Sequence, residues 1–344
     1  MADRHSWRPN RGDGMRVVAI GGGHGLSAML RGLKLYTDNI TAIVTMADDG
    51  GSSGILRSEL GILPPGDARS CVIALSNAEP LLKQLMDYRF TDGSLAGQSM
   101  GNLILAALND IHGSFGRAVW QLERVLAVTG RVLPCTEDDV HLVAEFTDGS
   151  EIVGESEIFY HKKETRKQIR QVYLTPEHPM AFPESLLAIR EADLIIMGPG
   201  SLYTSIIPNF LVDGITAAVE KSDAVKLMVM NLMTQDGETE GYSAADHIQA
   251  LMDHSGSGVV DCCLANDEQI PVQILERYRS EGADQLELDR DRIAVLGVKL
   301  YTAPLLQITD SGYARHDSGR LAQVIIETYE HEAKLRNRKP ADLN

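Results

Sequence analysis

The sequence has no basic excess to offer a nucleic acid. Its 32 Lys and Arg face 48 Asp and Glu, for a formal net charge of −16, whereas nucleic-acid binders carry a basic stripe. Long apolar runs are also missing. No stretch approaches the ~18 residues of a membrane span, so no membrane span is expected. Residues 1–14 are polar, carry Arg4, Arg8 and Arg11, and lack the apolar centre of a signal peptide. Cysteine is scarce: Cys71, Cys135, Cys262 and Cys263 never take the C-x-x-C spacing of a zinc or redox site. Neither a disulfide scaffold nor a structural zinc is suggested, and a cytoplasmic location is expected. The ten histidines are scattered, and no Ser–His–Asp or Cys–His arrangement can be read from their order.

Glycine, by contrast, is concentrated where it matters. Three glycine-rich segments each follow an apolar, strand-like run: Gly21-Gly22-Gly23-His24-Gly25 after 16–20, Asp48-Asp49-Gly50-Gly51-Ser52-Ser53-Gly54 after 40–46, and Gly198-Pro199-Gly200-Ser201 after 192–197. Strand, glycine turn and helix is how an α/β sheet presents backbone N–H groups to a phosphate. The turn needs residues without Cβ, and the helix N-terminus adds about half a positive charge. An anionic ligand in so acidic a chain must be held by such N–H groups and a few placed Arg or His.

The remaining pattern alternates strands and helices. Leu26, Met29, Leu30 and Leu33 repeat at i, i+3, i+4, i+7, which predicts one buried helix face. A longer helix is expected over 98–111, helices over 211–220 and 244–253 (with Ser243 as N-cap) and strands over 194–197, 225–230 and 259–264. Residues 131–175 break the rhythm. Segments 141–146 and 151–158 alternate around Thr147-Asp148-Gly149-Ser150, a hairpin signature. Residues 161–170 hold the chain's one basic run, read as a solvated face. The expected fold is therefore α/β: a Rossmann-like, doubly wound, mostly parallel sheet over 15–330, with a small β-rich insertion at 131–175. Residues 1–14 read as a disordered leader and 331–344 as a frayed polar tail.

Each candidate site has a plainer alternative. Gly23-His24-Gly25-Leu26-Ser27-Ala28 satisfies G-x-G-x-x-A, with Asp48 and Asp49 about twenty residues on, where a ribose-binding carboxylate would sit. A tight βα turn can be glycine-rich without a ligand. Asp48 and Asp49 could take a ribose hydroxyl or a divalent cation such as Mg²⁺, while Asp-Gly is also ordinary turn chemistry. Gly51, Ser52 and Ser53 continue that loop, and Gly66-Asp67-Ala68-Arg69 could add charge to the same cleft. Gly101 and Asn102 open the long helix, as an anion cradle or a simple cap. Gly198, Gly200, Ser201, Tyr203, Thr204 and Ser205 stand at the carboxyl end of a buried strand, where open α/β sheets bind ligands, and 231–235 lies past another. Arg277-Tyr278 and Arg315-His316-Asp317 are read as surface charge or as diphosphate and base contacts.

At these residues the chain resembles the YvcK-like gluconeogenesis factors, within the CofD superfamily of 2-phospho-L-lactate transferases. The likeness rests on the segments above together with Gly61-Ile62-Leu63-Pro64-Pro65-Gly66-Asp67, Gly101-Asn102-Leu103, 198–208 and Met233-Thr234-Gln235. His24 departs from it, since the family usually has Thr there. The resemblance implies a CofD-like fold, a cytoplasmic location, binding of a UDP-sugar such as UDP-N-acetylglucosamine, and a part in cell shape and envelope synthesis during gluconeogenic growth. It favours Tyr278 and Arg315 as ligand-facing residues. The transferase branch reads Gly-Pro-Ser-Asn-Pro where this chain has Gly198-Pro199-Gly200-Ser201-Leu202, a change in the acceptor-facing wall that argues against a deazaflavin acceptor.

Three functions follow as alternatives. The first is a non-catalytic, UDP-sugar-binding regulator acting through an envelope-synthesis partner, and dimerisation is expected of it. The second is a Mg²⁺-dependent transferase of phosphorus-containing groups, with Asp48 and Asp49 holding the metal. The third, an NAD-dependent oxidoreductase, rests on the G-x-G-x-x-A match.

Overall fold

The computed structural model describes residues 14–165 and 167–337. Its strands, in chain order, are β1 (Val17–Gly21), β2 (Ile40–Val44), β3 (Arg131–Pro134), β4 (His141–Phe146), β5 (Glu151–Val153), β6 (Ile169–Thr175), β7 (Leu194–Met197), β8 (Val225–Val229), β9 (Cys262–Asn266), β10 (Lys299–Ala303), β11 (Leu306–Ile308) and β12 (Ala314–His316). Seven of them form the central sheet in the order β10-β9-β8-β7-β1-β2-β3. Every neighbouring pair runs parallel. Strands β1, β2, β7, β8 and β9 are buried along their whole length. This is the mark of a sheet covered by helices on both faces, and it explains their near-continuous apolar runs. The cysteine doublet falls in β9, both thiols free and buried. Among the described residues no helix is long and apolar enough to cross a membrane.

The order also locates the site. From β1 the chain builds outward through β2 to β3, and from β7 it builds the other way through β8 and β9 to β10. The direction reverses between β1 and β7, and that switch point is where an open α/β sheet leaves a crevice beyond its carboxyl ends.

The helices entering this crevice are α1 (Gly23–Leu33), α2 (Gly51–Leu60) and α3 (Gly66–Leu75), followed by α4 (Pro80–Asp87), α5 (Met100–His112), α6 (Phe115–Val125) and, in the insertion, α7 (Glu155–Thr165). Helix α1 buries Leu26, Met29, Leu30 and Leu33, the predicted face. It crosses the final helix, Ser318–Asn337, so closely that a Cβ on Gly32 would stand 1.9 Å from the Ser318 carbonyl oxygen. The 98–111 helix is α5, and Ser243 caps the helix Ala244–Ser255 through a capping box with Asp246.

Several boundaries differ from expectation. Residues 131–134 belong to the main sheet as β3, paired with β2, so the antiparallel sheet β5-β4-β6 begins at His141. The strand expected over 151–158 ends at Val153, because Gly154, at φ +102°, turns the chain into α7. The helix expected over 211–220 starts only at Ile215 and runs to Lys221, after Gly214 at φ +95°; a separate short helix, Ile207–Phe210, precedes it. The strand at 259–264 slides forward to Cys262–Asn266, preceded by a short helical turn at Ser257–Val259. The basic run spans the end of α7 and the start of β6. Lys162 there is buried against Glu240, and Lys167 and Arg170 pair with Asp148 and Glu145. The final helix runs to Asn337, so 331–337 are helical rather than frayed: Glu332 accepts from Lys299 Nζ at 2.7 Å, and Arg336 bonds Asp261. Residues 1–13 and 338–344, where the leader and the rest of the tail were expected, lie outside the described residues.

Candidate nucleotide site

A cavity of about 1060 Å³ opens at the switch point. One wall is the turn after β1. Gly22, Gly23, His24 and Gly25 line it, and the glycines are dictated by close approach. A Cβ on Gly25 would stand 2.5 Å from the Pro199 carbonyl oxygen, and one on Gly22 would stand 2.2 Å from Asp67 Oδ2. The two loops flanking the reversal are thus packed backbone to backbone, with no room for larger residues.

Three helices begin on this cavity. Gly23 starts α1, Gly51 starts α2 and Gly66 starts α3, and all three residues line it. None of the three has a side-chain N-cap, which leaves the first-turn donors to other partners. Asp67 takes one of them: its Oδ1 accepts from Gly23 N–H at 2.8 Å. Ser53 Oγ accepts from Gly66 N–H (3.1 Å), fastening α3 to α2. Ser52 is a buried hub that donates to Gln98 Oε1 (2.7 Å) and accepts from Asn102 Nδ2 (3.1 Å). Asn102 lines the cavity with its Oδ1 buried and without a hydrogen-bond partner.

The opposite wall comes from the loops after β7 and β8. Gly200 N–H donates to Asn231 Oδ1 (3.1 Å), and Asn231 returns a bond to the Gly200 carbonyl (2.8 Å). Ser201 Oγ donates to Gln235 Oε1 at 2.8 Å. Gly200, Ser201 and Ser205 all face the cavity. The C-terminal hairpin β11–β12 closes the mouth. Tyr278 Oη accepts from Ala314 N–H at 3.2 Å, and Arg315, exposed, lies 5.4 Å from the Tyr313 ring. Tyr278 and Arg315 both line the cavity.

Charge is mixed here despite the acidic chain. Arg31, Arg69, Arg89 and Arg315 line the cavity together with Asp48, Asp67 and Glu155. Burial, and then the charge of Asp48, push the Asp67 carboxyl up to about 7, while the Gly23 bond pulls it back. Burial and the charges of Asp48 and Asp67 push Glu155 well above the carboxylate range. Burial lowers His316 to about 4, so its imidazole is neutral at pH 7, and its Nε2 lacks a partner.

Six predicted residues are placed differently from the rest. Gly21 closes β1, and Gly198, at φ +72°, makes the turn after β7; neither is among the cavity-lining residues. Asp49 turns away from the cavity: its Oδ1 accepts from Ser156 N–H (2.9 Å) at the start of α7. The adjacent Asp48–Asp49 metal pair therefore does not form. Among the described residues no group of three or more His, Cys, Asp or Glu could hold a metal ion. Gly101 is a packing glycine, since a Cβ there would lie 2.6 Å from the Met86 carbonyl and 2.7 Å from Arg69 Cδ. Tyr203 is core, with its hydroxyl 2.9 Å from that of Tyr242. Thr204 belongs to a smaller neighbouring pocket. The sequence reading passed over Arg31, Arg89 and Glu155. Arg31 sits in the last turn of α1 and Glu155 opens a helix of the insertion, and no spacing ties either to a glycine loop.

A doubly wound parallel sheet with three helix N-termini gathered at its switch point defines an α/β protein with a crevice beyond the carboxyl ends of its strands. Residues 17–306 match the model of the 2-phospho-L-lactate transferase CofD family, and the chain belongs to that family. It is similar to the gluconeogenesis factor of Bacillus subtilis strain 168, 46% identical over 313 residues that cover 91% of this chain and 97% of the relative. It is equally similar to the gluconeogenesis factor of Halalkalibacterium halodurans, 46% identical over 312 residues that cover 90% of this chain and 95% of that one. The crystal structure of a UPF0052 family protein from Bacillus halodurans superimposes with a TM-score of 0.86, at 45% identity over 91% of this chain and 98% of the other.

Proposed function

We propose that the chain is a cytoplasmic regulator, linked to carbon metabolism, that binds a nucleotide sugar of the UDP-N-acetylglucosamine kind. In this reading it couples gluconeogenic growth to cell shape and envelope synthesis through a protein partner, and it acts as a dimer. The observation that carries the ligand class is the convergence of three helix N-termini, α1, α2 and α3, none with a capping side chain at its N-cap residue, on one cavity. Backbone donors and helix dipoles suit a diphosphate, and Arg31, Arg69 and Arg315 add the cations that an acidic chain otherwise lacks there. The Asn102 Oδ1 and His316 Nε2 atoms, buried and unpaired, are acceptors awaiting ligand donors. The relatives' name, gluconeogenesis factor, supports the carbon-metabolism link.

A second reading is favoured by one observation, the carboxyl group of Asp48 beside those of Asp67 and Glu155 in the same cavity. Mg²⁺ is commonly held by one or two carboxylates plus substrate phosphates and water. Asp48 could hold it that way, and the ion would then neutralise charge in phospho-group transfer, the chemistry for which the family is named. The family match is to transferases and lends no support to a dehydrogenase.

Calorimetric titration of UDP-N-acetylglucosamine, with and without Mg²⁺ and with NAD in parallel, separates these readings. The regulator predicts metal-independent binding of the UDP-sugar and none of NAD. Binding that requires Mg²⁺, followed by product formation, would replace it with the transferase.

A further inference from the structure

A second pocket, of about 240 Å³, adjoins the main cavity and shares Asp48, Gly50, Glu155, Ser201 and Gln235 with it. Its own walls are Phe159 of α7, the Thr204 turn, and Glu238. Helix α7 belongs to the insertion, so the pocket lies between the insertion and the loops of the main sheet.

Glu238 is the informative residue. It is 3% exposed, and its Oε1 accepts two backbone bonds, from Tyr203 N–H and Thr204 N–H, both 2.9 Å. These bonds fix the carboxyl plane. Its Oε2 is buried and has no hydrogen-bond partner. Ser201 lies near, but its one hydroxyl proton goes to Gln235 Oε1. A buried carboxyl oxygen left unpaired is costly, and Glu238 borders a space beside the loops of the main cavity. Burial pushes this carboxyl up to about 7, against the pull of the two backbone bonds, the Lys162 charge and the neighbouring Ser201 hydroxyl. Glu155 is pushed up for the same primary reason. Carboxyls poised between protonated and ionised forms can both accept from and donate to hydroxyl groups.

The composition selects the ligand part. Phosphate is disfavoured because this pocket, unlike the main cavity, has no Arg or Lys among its lining residues to offset Asp48, Glu155 and Glu238. A neutral ring bearing several hydroxyls meets carboxyl and amide partners on one side and finds an aromatic face, Phe159, for its C–H groups. We infer that this side pocket is the hexose subsite: the pyranose of a nucleotide sugar sits between Glu238 and Phe159 while its diphosphate lies on the α1–α3 N-termini. This assignment rests on the nucleotide-sugar reading and assigns the insertion a part in choosing the sugar.

The test compares UDP with UDP-N-acetylglucosamine and UDP-glucose by calorimetry on the full chain. In the wild type the UDP-sugars should bind about tenfold or more tightly than UDP, the worth of a charge-assisted hydrogen bond. Glu238→Gln preserves an acceptor for the two backbone bonds but changes the orphan oxygen to a donor, and Phe159→Leu keeps volume while removing the ring. Both variants should bring UDP-sugar affinity to within about threefold of UDP and leave UDP itself unchanged. If wild type and both variants hold UDP and UDP-sugars equally well, the subsite is wrong and the nucleotide site survives. If the wild type binds neither, the subsite falls together with the reading beneath it.

Discussion

The Asp67 carboxylate accepts the backbone N–H of Gly23 at 2.8 Å, and this bond joins the first turns of α3 and α1 in the wall of the cavity. It holds two helix N-termini in register, so that both dipoles point at the same space. It also explains why Gly22 has no side chain.

Gly22→Ala tests that coupling. The new Cβ would stand 2.2 Å from Asp67 Oδ2 and 3.2 Å from Thr45 Cγ2, so Asp67 must move and the Gly23 bond is lost. Urea unfolding should show a loss of ~1–3 kcal/mol, with weaker UDP-N-acetylglucosamine binding. Unchanged stability and affinity would mean that the two loops are not mechanically linked.

A pH effect is expected far from the site, on α6. Glu123 is 8% exposed and accepts from Val132 N–H at 2.5 Å. Burial raises its carboxyl from the ordinary 4.5 to about 8. Between those values the folded chain keeps a proton that the unfolded chain has released, so stability falls as pH rises through the window. Asp67 and Glu238 act in the same direction. Glu123→Gln removes one titration and keeps the acceptor, so its stability relative to wild type should be greater at pH 8.5 than at pH 5. Equal differences in urea midpoint at both pH values would contradict the assignment.

Asp48 and Asp49 should behave differently when each is changed to Ala. Loss of Asp49 removes the acceptor for Ser156 N–H, costing ~1 kcal/mol as for other lost helix caps and exposing the insertion to proteolysis. Loss of Asp48, whose Oδ1 accepts the Gly50 N–H within its own loop, should leave the insertion as resistant as in the wild type. Equal protease sensitivity in the two variants would refute the division of labour.

Arg315→Ala should weaken UDP-N-acetylglucosamine binding by about tenfold with little change in melting temperature, because its side chain is exposed, lies over Tyr313 and donates to the carbonyl of the adjacent Ala314. Tyr278→Phe should act differently, lowering stability slightly through loss of the hydroxyl tether to Ala314. Full affinity in Arg315→Ala would remove the hairpin from the site.

Much of the frame was legible because local rules act there. The α1 face, the Ser243 cap and the glycine turns follow from periodicity and from backbone room. Strand order was not legible, since only the folded sheet shows that β1 and β7 are neighbours and that Gly25 meets Pro199. Asp49 was misread as a partner of Asp48 because adjacent residues outside a helix need not face one way. Glu155 and Glu238 gave no signal: the chain brings them beside Asp48 from an insertion and from a loop after β8, and each alone reads as surface charge. Gly101 looked like a cradle, but its missing Cβ makes room for the Met86 carbonyl and Arg69.

Backbone hydrogen–deuterium exchange, with and without saturating UDP-N-acetylglucosamine, tests the central claim most directly. The account predicts slowed exchange at the first turns of α1, α2 and α3, over 23–27, 51–55 and 66–70, and in the loop at 200–205. A second opening of about 590 Å³ lies among Arg16, Arg190, Lys221 and Arg336, away from these loops. Ligand-induced protection there, with the three helix N-termini unaffected, would contradict the account.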